Sequence, residues 1–492
     1  MLFNSPIFIV FFLPLTLLIF FMVGRHSARI AAYWLFLASL VFYAWWNPAY
    51  VPLLLGSIVF NYFAGRVVAG TLQQPARKVV LIFSIIANLG LLINYKYAAF
   101  LLQVIGFAQE GHGQSTELAL PLGISFFTFT QITFLVDAYS GGAKEYRFGH
   151  YGLFVTFFPH LIAGPILHHK EMMPQFQDMR TYRPELANLS VGLTLFVIGL
   201  FKKVILADGI SPYVAPVFQG VTNPAGIGSV EAWLGVMAYS FQLYFDFSGY
   251  SDMASGLARM FGIRMPINFY SPYKARSMLE LWRRWHMSLS RFLRDYVFVP
   301  LGGNRKSAFR RYASLLATMF IGGVWHGAGW TFIVWGAFLG ALLALNHAWL
   351  VIWRRTKRPR LGLLAGSAAC TATYIGFTAG LVFFRADSLD VAFRVSGALI
   401  GLGASSFVGT VGLPVLAWIV VCGLIVWGLP NSQQLLYRFT PGIETFAGML
   451  RPSSISWLEW KPSGWWALAI STMAVASLLM LSRVREFLYF AF

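Results

Sequence analysis

The chain has 492 residues, of which 58% are apolar and 11% are charged. Soluble globular domains carry about 25% charged residues, so this composition, with a mean hydropathy of +0.65, excludes a soluble enzyme, a disordered chain and a collagen. The net charge of +19 is typical of basic residues that mark membrane topology and contact lipid headgroups, not of nucleic-acid binding. The class that remains is an all-α polytopic membrane protein.

Long apolar segments recur along the whole chain and predict about 10–13 transmembrane or re-entrant helices, because one span takes about 20 apolar residues. No basic residue precedes the first segment, so we expect a retained first span with its N-terminus outside. No stretch of soluble composition interrupts the series, which predicts one membrane-embedded domain over residues 1–492. The segments lie at residues 5–23, 31–46, 49–69, 79–106, 118–139, 150–167, 186–207, 230–258, 312–350, 364–384, 390–425 and 464–482.

Two basic loops, at residues 70–78 and 354–360, are expected in the cytosol by the positive-inside bias. The apolar segment at 158–165 is broken by Pro159, Gly164 and Pro165. Irregular backbone at membrane depth is tolerated only where it is buried in protein or lines a wet cavity. The break therefore favours a compact bundle around an internal site.

Two acidic residues, Asp246 and Asp252, lie in an aromatic segment that is otherwise nearly free of charge. Acids at membrane depth must pair or line a polar cavity. We expect them to form ion pairs with the arginines of segment 274–311, in a structural more than a catalytic role.

The densest basic cluster of the chain lies between Lys274 and Arg311. At 100° per residue, a helix through this segment would have one aromatic face and one basic face, as a helix in the membrane interface does. The aromatic face would hold Trp282, Trp285, His286, Leu289, Phe292, Leu293 and Tyr296, and the basic face Arg283, Arg284, Arg291 and Arg294. Lipid headgroups account for the arginines, but they do not explain His286.

The 42 residues from Tyr312 to Trp353 contain no Lys, Arg, Asp or Glu, which predicts two spans. Within them, His326 stands between Gly322-Gly323 and Gly327-Ala328-Gly329, where glycines let other groups approach the backbone closely. An ionisable residue in the membrane is a functional candidate by default. A buried neutral imidazole can accept a proton from a hydroxyl, although a hydrogen-bonded core histidine is the alternative.

A metal site is not expected. His160, His168 and His169 surround a Gly-Pro break, but their spacing fits no tetrahedral pattern, and no acid of that apolar segment lies at ligand spacing. The chain also lacks GxxxxGK[ST], GxGxxG, HExxH and GxSxG motifs. The sequence therefore contains none of the usual motifs of ATP-driven transport, dinucleotide chemistry, zinc proteolysis or serine hydrolysis.

Five motifs in order resemble the membrane-bound O-acyltransferase family, and within it most closely the bacterial alginate O-acetyltransferase branch. The likeness extends over essentially the whole chain, with core motifs at about 118–345 and C-terminal helices at 364–492. The motifs are DFSGYSD at 246–252, WRRWHMSLSRFLR at 282–294, LGGNR at 301–305, GGVWHG at 322–327 and FFRA at 383–386.

This resemblance implies a ring of tilted helices around a central tunnel that admits an acyl donor from the cytosolic side. It also implies that the family's catalytic histidine is His326 and that its second histidine is His286. We expect no permanently bound cofactor, with acetyl-CoA or another acyl thioester as donor substrate. Further substrate contacts are assigned to Trp282, Arg283, Arg284, Trp285, Trp325 and Asn304.

The expected function is O-acetylation of an exported polysaccharide, or of a periplasmic relay acetyltransferase, by a multi-pass protein of the bacterial inner membrane. An alginate-like exopolysaccharide is the first choice of polymer, with acetylated cellulose, other exopolysaccharides and peptidoglycan left open. The resemblance implies a periplasmic SGNH-type acetyltransferase or relay protein and a polysaccharide-modification complex as partners, beside membrane lipids. The alternatives are an exporter or flippase for an acyl or glycan carrier and a non-catalytic scaffold.

Overall fold

The computed structural model describes residues 1–71, 73–106, 120–143, 147–220, 226–303, 307–355, 362–403, 412–483 and 487–488. Regular structure in these residues is helical, apart from an isolated parallel bridge between Pro266 and Ile443. The expected all-α membrane class is thereby confirmed.

The α-helices vary in length from three to 32 residues. In chain order they are α1 (Leu13–Gly24), α2 (Ala28–Ala44), α3 (Val51–Arg66), α4 (Gln74–Leu92), α5 (Ala98–Val104), α6 (Ile124–Tyr139), α7 (Phe148–Thr156), α8 (Phe158–Leu161), α9 (His169–Gln177), α10 (Leu186–Phe201), α11 (Asp208–Ile210), α12 (Ala215–Gly220), α13 (Ser229–Met260), α14 (Met278–Trp282), α15 (Met287–Leu293), α16 (Ala308–His326), α17 (Trp330–Arg355), α18 (Leu363–Arg385), α19 (Leu389–Leu399), α20 (Leu413–Gly423), α21 (Ser432–Leu435) and α22 (Gly464–Leu479).

Five helical stretches of the described residues are long and apolar enough to cross a membrane. They are Pro48–Gly70, Gln74–Val104, Leu186–Gln219, Trp330–Trp353 and Leu363–Arg385. Four shorter apolar helices accompany them, at Phe8–Gly24, Ala28–Ala44, Leu413–Gly428 and Gly464–Leu479. The protein is therefore a multi-pass membrane protein.

The chain divides into two compact units. The first consists of residues 1–198, 250–266 and 439–443, and the second of residues 199–249, 267–438 and 444–492. The expectation of a single membrane domain over 1–492 stays a prediction.

The first unit is built around packed aromatic rings. In it α1 packs on α2, α2 on α7 and α4 on α6. The Phe3 ring lies 4.9 Å from that of Tyr250 and 5.5 Å from that of Phe42, and all three residues are buried. Rings at these separations stabilise a core beyond the burial of their area.

The second unit contains a helical hairpin, in which α16 packs on α17 and α17 on α18. The two helices of the hairpin meet at glycines, since a Cβ on Gly323 would lie 2.9 Å from the Gly336 Cα. Small residues allow membrane helices to approach this closely. The stretch 312–353, which contains no Lys, Arg, Asp or Glu, thus forms two helices, as its length predicts. His326 lies at the turn between them.

The prediction of a single interfacial helix over residues 282–296 is wrong. The chain leaves the helix after Trp282, and His286 takes a left-handed conformation with φ of 41° before α15 begins. Arg291, expected on the exposed basic face, is 7% exposed. The apolar period continues through the break, so the periodicity of the sequence could not reveal it.

Candidate functional site

His326 is the last residue of α16 and is enclosed by three aromatic rings. The ring centroids of Trp325, Trp335 and Phe384 lie 4.9, 5.0 and 5.2 Å from that of the imidazole, and His326 is 5% exposed. The imidazole thus lies at the C-terminal end of α16 in a buried aromatic environment.

His286 is buried at the start of α15 and has a strained backbone. Left-handed φ values are uncommon for residues other than glycine and are concentrated at functional sites. The ring lies edge-on to Phe247 at 4.7 Å. Burial lowers the pKa of His286 to about 3, so its imidazole is neutral at physiological pH.

Asn268 determines which nitrogen of His286 carries the proton. The Asn268 side-chain oxygen accepts hydrogen bonds from the Ser288 backbone N–H at 3.2 Å and the Ser288 hydroxyl at 2.9 Å. The same oxygen lies 3.2 Å from His286 Nδ1. Nδ1 must therefore donate, which makes Nε2 the basic nitrogen of the neutral ring.

The two predicted catalytic histidines share one neighbour, Trp325. Its ring centroid lies 6.2 Å from that of His286 and 4.9 Å from that of His326. Phe384, from the FFRA motif, closes another side of His326. The WRRWHMSLSRFLR and GGVWHG motifs thus meet at one indole, Phe384 of FFRA adjoins His326, and Phe247 of DFSGYSD adjoins His286.

Trp335 is a site residue that the sequence analysis missed. Its ring lies 5.0 Å from His326 and 6.5 Å from Trp282. The indole Nε1 atoms of Trp335 and Trp282 are buried, and neither has a hydrogen-bond partner in the described parts of the chain. A buried donor without a partner is costly. No motif marked Trp335, which lies in an ordinary apolar segment.

The other predicted substrate residues lie apart from the two histidine rings or outside the described chain. Trp285 packs between Phe269 and Phe377, at 5.1 Å from each ring. Arg283 is exposed, and Arg284 forms an ion pair with Glu280 at 2.6 Å. Asn304 lies outside the described residues.

The expected pairing of Asp246 with an arginine of 274–311 is wrong. Its carboxylate pairs with Lys203 at 2.7 Å, and Lys203 also pairs with Asp208 at 2.8 Å. Lys203 lies in the π-helical turn Lys202–Ala207 that follows α10, a segment that the sequence analysis did not connect with the acids. Asp252 is buried further along α13.

A sequence model described as the membrane-bound O-acyltransferase family matches residues 80–365 of the chain. This range includes both histidines and the aromatic cluster up to Trp335. Phe384 lies beyond it.

Curated relatives cover most of the chain. It is 41% identical to the peptidoglycan O-acetyltransferase of Helicobacter pylori, with 82% of this chain and 81% of the relative aligned. It is 40% identical to the "Probable alginate O-acetylase AlgI" of Azotobacter vinelandii, over 82% and 79% of the two chains. A teichoic acid D-alanyltransferase of Streptococcus thermophilus is 36% identical over 46% of this chain and 57% of its own.

Proposed function

Since the chain belongs to the membrane-bound O-acyltransferase family, we propose that it moves an acetyl group from a cytosolic thioester to a hydroxyl outside the membrane. The membrane O-acyltransferase activity is that of the family. The acetyl group, the donor and the acceptor are the parts that we propose. The observation that carries the proposal is the placement of His286 and His326 on the same buried indole, Trp325.

We assign the general base to His326. It takes the proton of the acceptor hydroxyl while the oxygen attacks the thioester carbonyl carbon. The new C–O bond forms, the C–S bond breaks, and the proton returns from His326 to the departing thiolate. General base catalysis contributes typically about 10²–10⁴-fold to a rate.

The hairpin of α16 and α17 supports this direction of transfer. Arg310 and Arg311 lie at its open end with Arg354 and Arg355, and His326 lies at the turn. Basic residues at the ends of spans favour the cytosolic side. His326 is thus near the opposite side of the membrane, where an exported acceptor arrives.

His286 is assigned a supporting role. Its Nε2 is the basic nitrogen, and its ring is fixed by Asn268 and Phe247. It orients the donor or shuttles a proton. The walls of Trp282, Trp325 and Trp335 exclude water, which protects the thioester from hydrolysis.

The indole N–H groups of Trp282 and Trp335 are suited to bind the carbonyl oxygen of the acetyl group. That oxygen gains negative charge during the attack, and preorganised donors in a water-poor site stabilise such charge. The support for this role is the position of Trp335 beside His326, the position of Trp282 next to Trp335, and the lack of other partners for both N–H groups among the described residues.

Acetyl-CoA or another acyl thioester is the proposed donor, and no bound cofactor is needed for the chemistry. We place the protein in the bacterial inner membrane, with a periplasmic SGNH-type acetyltransferase or relay protein and a polysaccharide-modification complex as partners. The names of the relatives support the polysaccharide-modification part of this setting, since they are an O-acetyltransferase of peptidoglycan and a probable O-acetylase of alginate.

An alginate-like exopolysaccharide remains the first proposed acceptor. Peptidoglycan is the second, because the Helicobacter pylori relative is named for that polymer and is as similar to this chain as the alginate relatives. Acetyl content of both polymers, measured in the producing bacterium with and without this protein, distinguishes them.

His326→Ala and His326→Gln test the assignment of the base. Both variants are expected to insert normally and to lose product acetylation by at least about a hundredfold, the low end of a general base's contribution. Glutamine can replace a hydrogen bond but takes up no proton near neutral pH. The measurement is product acetyl content per membrane-inserted protein.

A purely structural histidine would give the opposite result. His326→Ala would then lower the protein level with activity per folded molecule nearly intact, and His326→Gln would restore both. Substantial activity in the glutamine variant would therefore refute the general base.

A further inference from the structure

The first compact unit contains a polar cavity that the acyl-transfer site does not use. Its volume is about 590 Å³. It is lined by residues of α9 and the turn that follows, by the start of α10, and by the segment after α13. The lining includes four basic side chains, those of Lys170, Arg180, Arg259 and Arg264.

Arg259 is the buried cation of this cavity. It is 5% exposed, and one guanidinium nitrogen donates to the Phe439 carbonyl oxygen at 3.2 Å. Its Nε is buried without a hydrogen-bond partner in the part of the chain that the structure describes. A buried guanidinium requires an anion or further acceptors, and among the described residues no carboxylate lies within ion-pair distance of it.

Each acid of the lining has a partner other than Lys170, Arg259 and Arg264. Asp178 pairs with Arg180 at 2.8 Å, Glu185 accepts from the Asn188 amide at 2.8 Å, and Glu171 accepts from the His168 backbone N–H at 3.4 Å. Lys170 and Arg264 have no carboxylate partner within the described ranges. The cations therefore outnumber the carboxylates that neutralise them.

The cavity lies beside the start of a stretch that is long and apolar enough to cross a membrane. Glu185 and Asn188 flank the start of the apolar stretch Leu186–Gln219, whose first side chain is 83% exposed. A Cβ on Gly24, at the end of α1, would lie 2.6 Å from the Tyr182 carbonyl oxygen. Tyr182 closes the turn that carries Arg180, so the cavity shares its side of the membrane with the end of α1. With the N-terminus outside, that side is cytosolic.

We propose that this cavity binds the phosphate of an anionic phospholipid from the inner leaflet, with Arg259, Arg264 and Lys170 as its cationic contacts. Basic pockets between membrane helices on the cytoplasmic side are typical sites for such headgroups. A soluble phosphate compound, such as coenzyme A, offers the same chemistry and is the competing source.

Native mass spectrometry of the full chain in detergent tests the proposal. Phosphatidylglycerol is added to the wild type, to Arg264→Gln and to the double variant Lys170→Gln/Arg264→Gln. Both positions are exposed, so folding is preserved, and size-exclusion profiles check this. Each lost charge is expected to weaken binding about fivefold, corresponding to about 1 kcal/mol per basic residue at a membrane surface.

Three controls decide the outcome. Arg183→Gln makes the same change at an exposed residue of the same turn outside the cavity and should leave binding unchanged. Diacylglycerol, which lacks the phosphate, should not compete. Equal binding of phosphatidylglycerol by all variants overturns the proposal. It is also overturned if coenzyme A displaces the lipid and its own binding falls in the cavity variants, because the ligand is then the soluble phosphate compound.

Discussion

The Lys203 ammonium lies 2.7 Å from the Asp246 carboxylate and 2.8 Å from that of Asp208, with all three side chains at most 8% exposed. One buried cation thus forms ion pairs with two buried carboxylates. Removing the cation takes the same ion-pair partner from two carboxylates, whereas removing Asp246 leaves the pair of Lys203 and Asp208 intact.

We therefore expect Lys203→Met to destabilise the protein more than Asp246→Asn does. Breaking a buried pair costs about 3–5 kcal/mol, and the lysine variant should reach that range. Thermal unfolding in detergent and the yield of monodisperse protein provide the measurement. If Asp246→Asn folds normally and still abolishes activity, Asp246 belongs to the catalytic group instead.

Asn268→Ala is expected to lower kcat by about tenfold, below the ~10²–10⁴-fold contribution of a complete general base. The change removes the acceptor of the His286 Nδ1–H group, so the proton can move to Nε2. The KM for the acyl donor should change little. Ser288→Ala removes another partner of the same Asn268 oxygen and serves as the matched control. Equal losses in the two variants would mean that Asn268 only supports the fold.

Trp335→Phe keeps an aromatic ring against His326 but removes the indole N–H. If that donor binds the acetyl oxygen, kcat should fall by about a hundredfold, the low end of one oxyanion donor's contribution. Trp349→Phe, at an exposed residue of the same helix, should remain fully active. Wild-type turnover in Trp335→Phe would remove Trp335 from the chemistry and leave it a wall residue.

The predicted topology is testable by cysteine labelling in a background that lacks Cys370 and Cys422. A reagent confined to the outside should miss Gln73→Cys and Lys357→Cys, since basic loops resist translocation. It should label Asn47→Cys, at the end of α2. Labelling of Lys357→Cys in intact cells would reverse the orientation, although residue 357 lies outside the described structure.

Composition and motifs predicted the helical membrane class, the family and the glycine break beside His326. They did so because apolar length and glycine placement are local properties of a sequence. Trp335 was missed because it lies in an unremarkable apolar segment and reaches His326 only through the close packing of α16 on α17.

The sequence also could not identify side-chain partners that lie far apart along the chain. The helical period continues through residues 283–286. The hydrogen bonds that accompany the break join it to residues 268–270, through Asn268 with His286 and Ser288 and through the Tyr270 backbone N–H with the Arg284 carbonyl oxygen. Lys203 lies 43 residues before Asp246, and the arginines of 274–311 were the denser set of cations. Proximity along the chain and charge density both favoured the wrong partner.

The glycine contact of the hairpin also bears on how the enzyme tolerates different membranes. Backbone meets backbone at Gly323 and Gly336, so the spacing of α16 and α17 near His326 does not depend on side chains that face lipid. Outward residues of α17, such as Leu345 and Trp349, are 67% and 58% exposed and adjust to bilayer thickness by tilt and anchoring. Changes in lipid composition are thus expected to affect the outer face of α17 more than the geometry around His326.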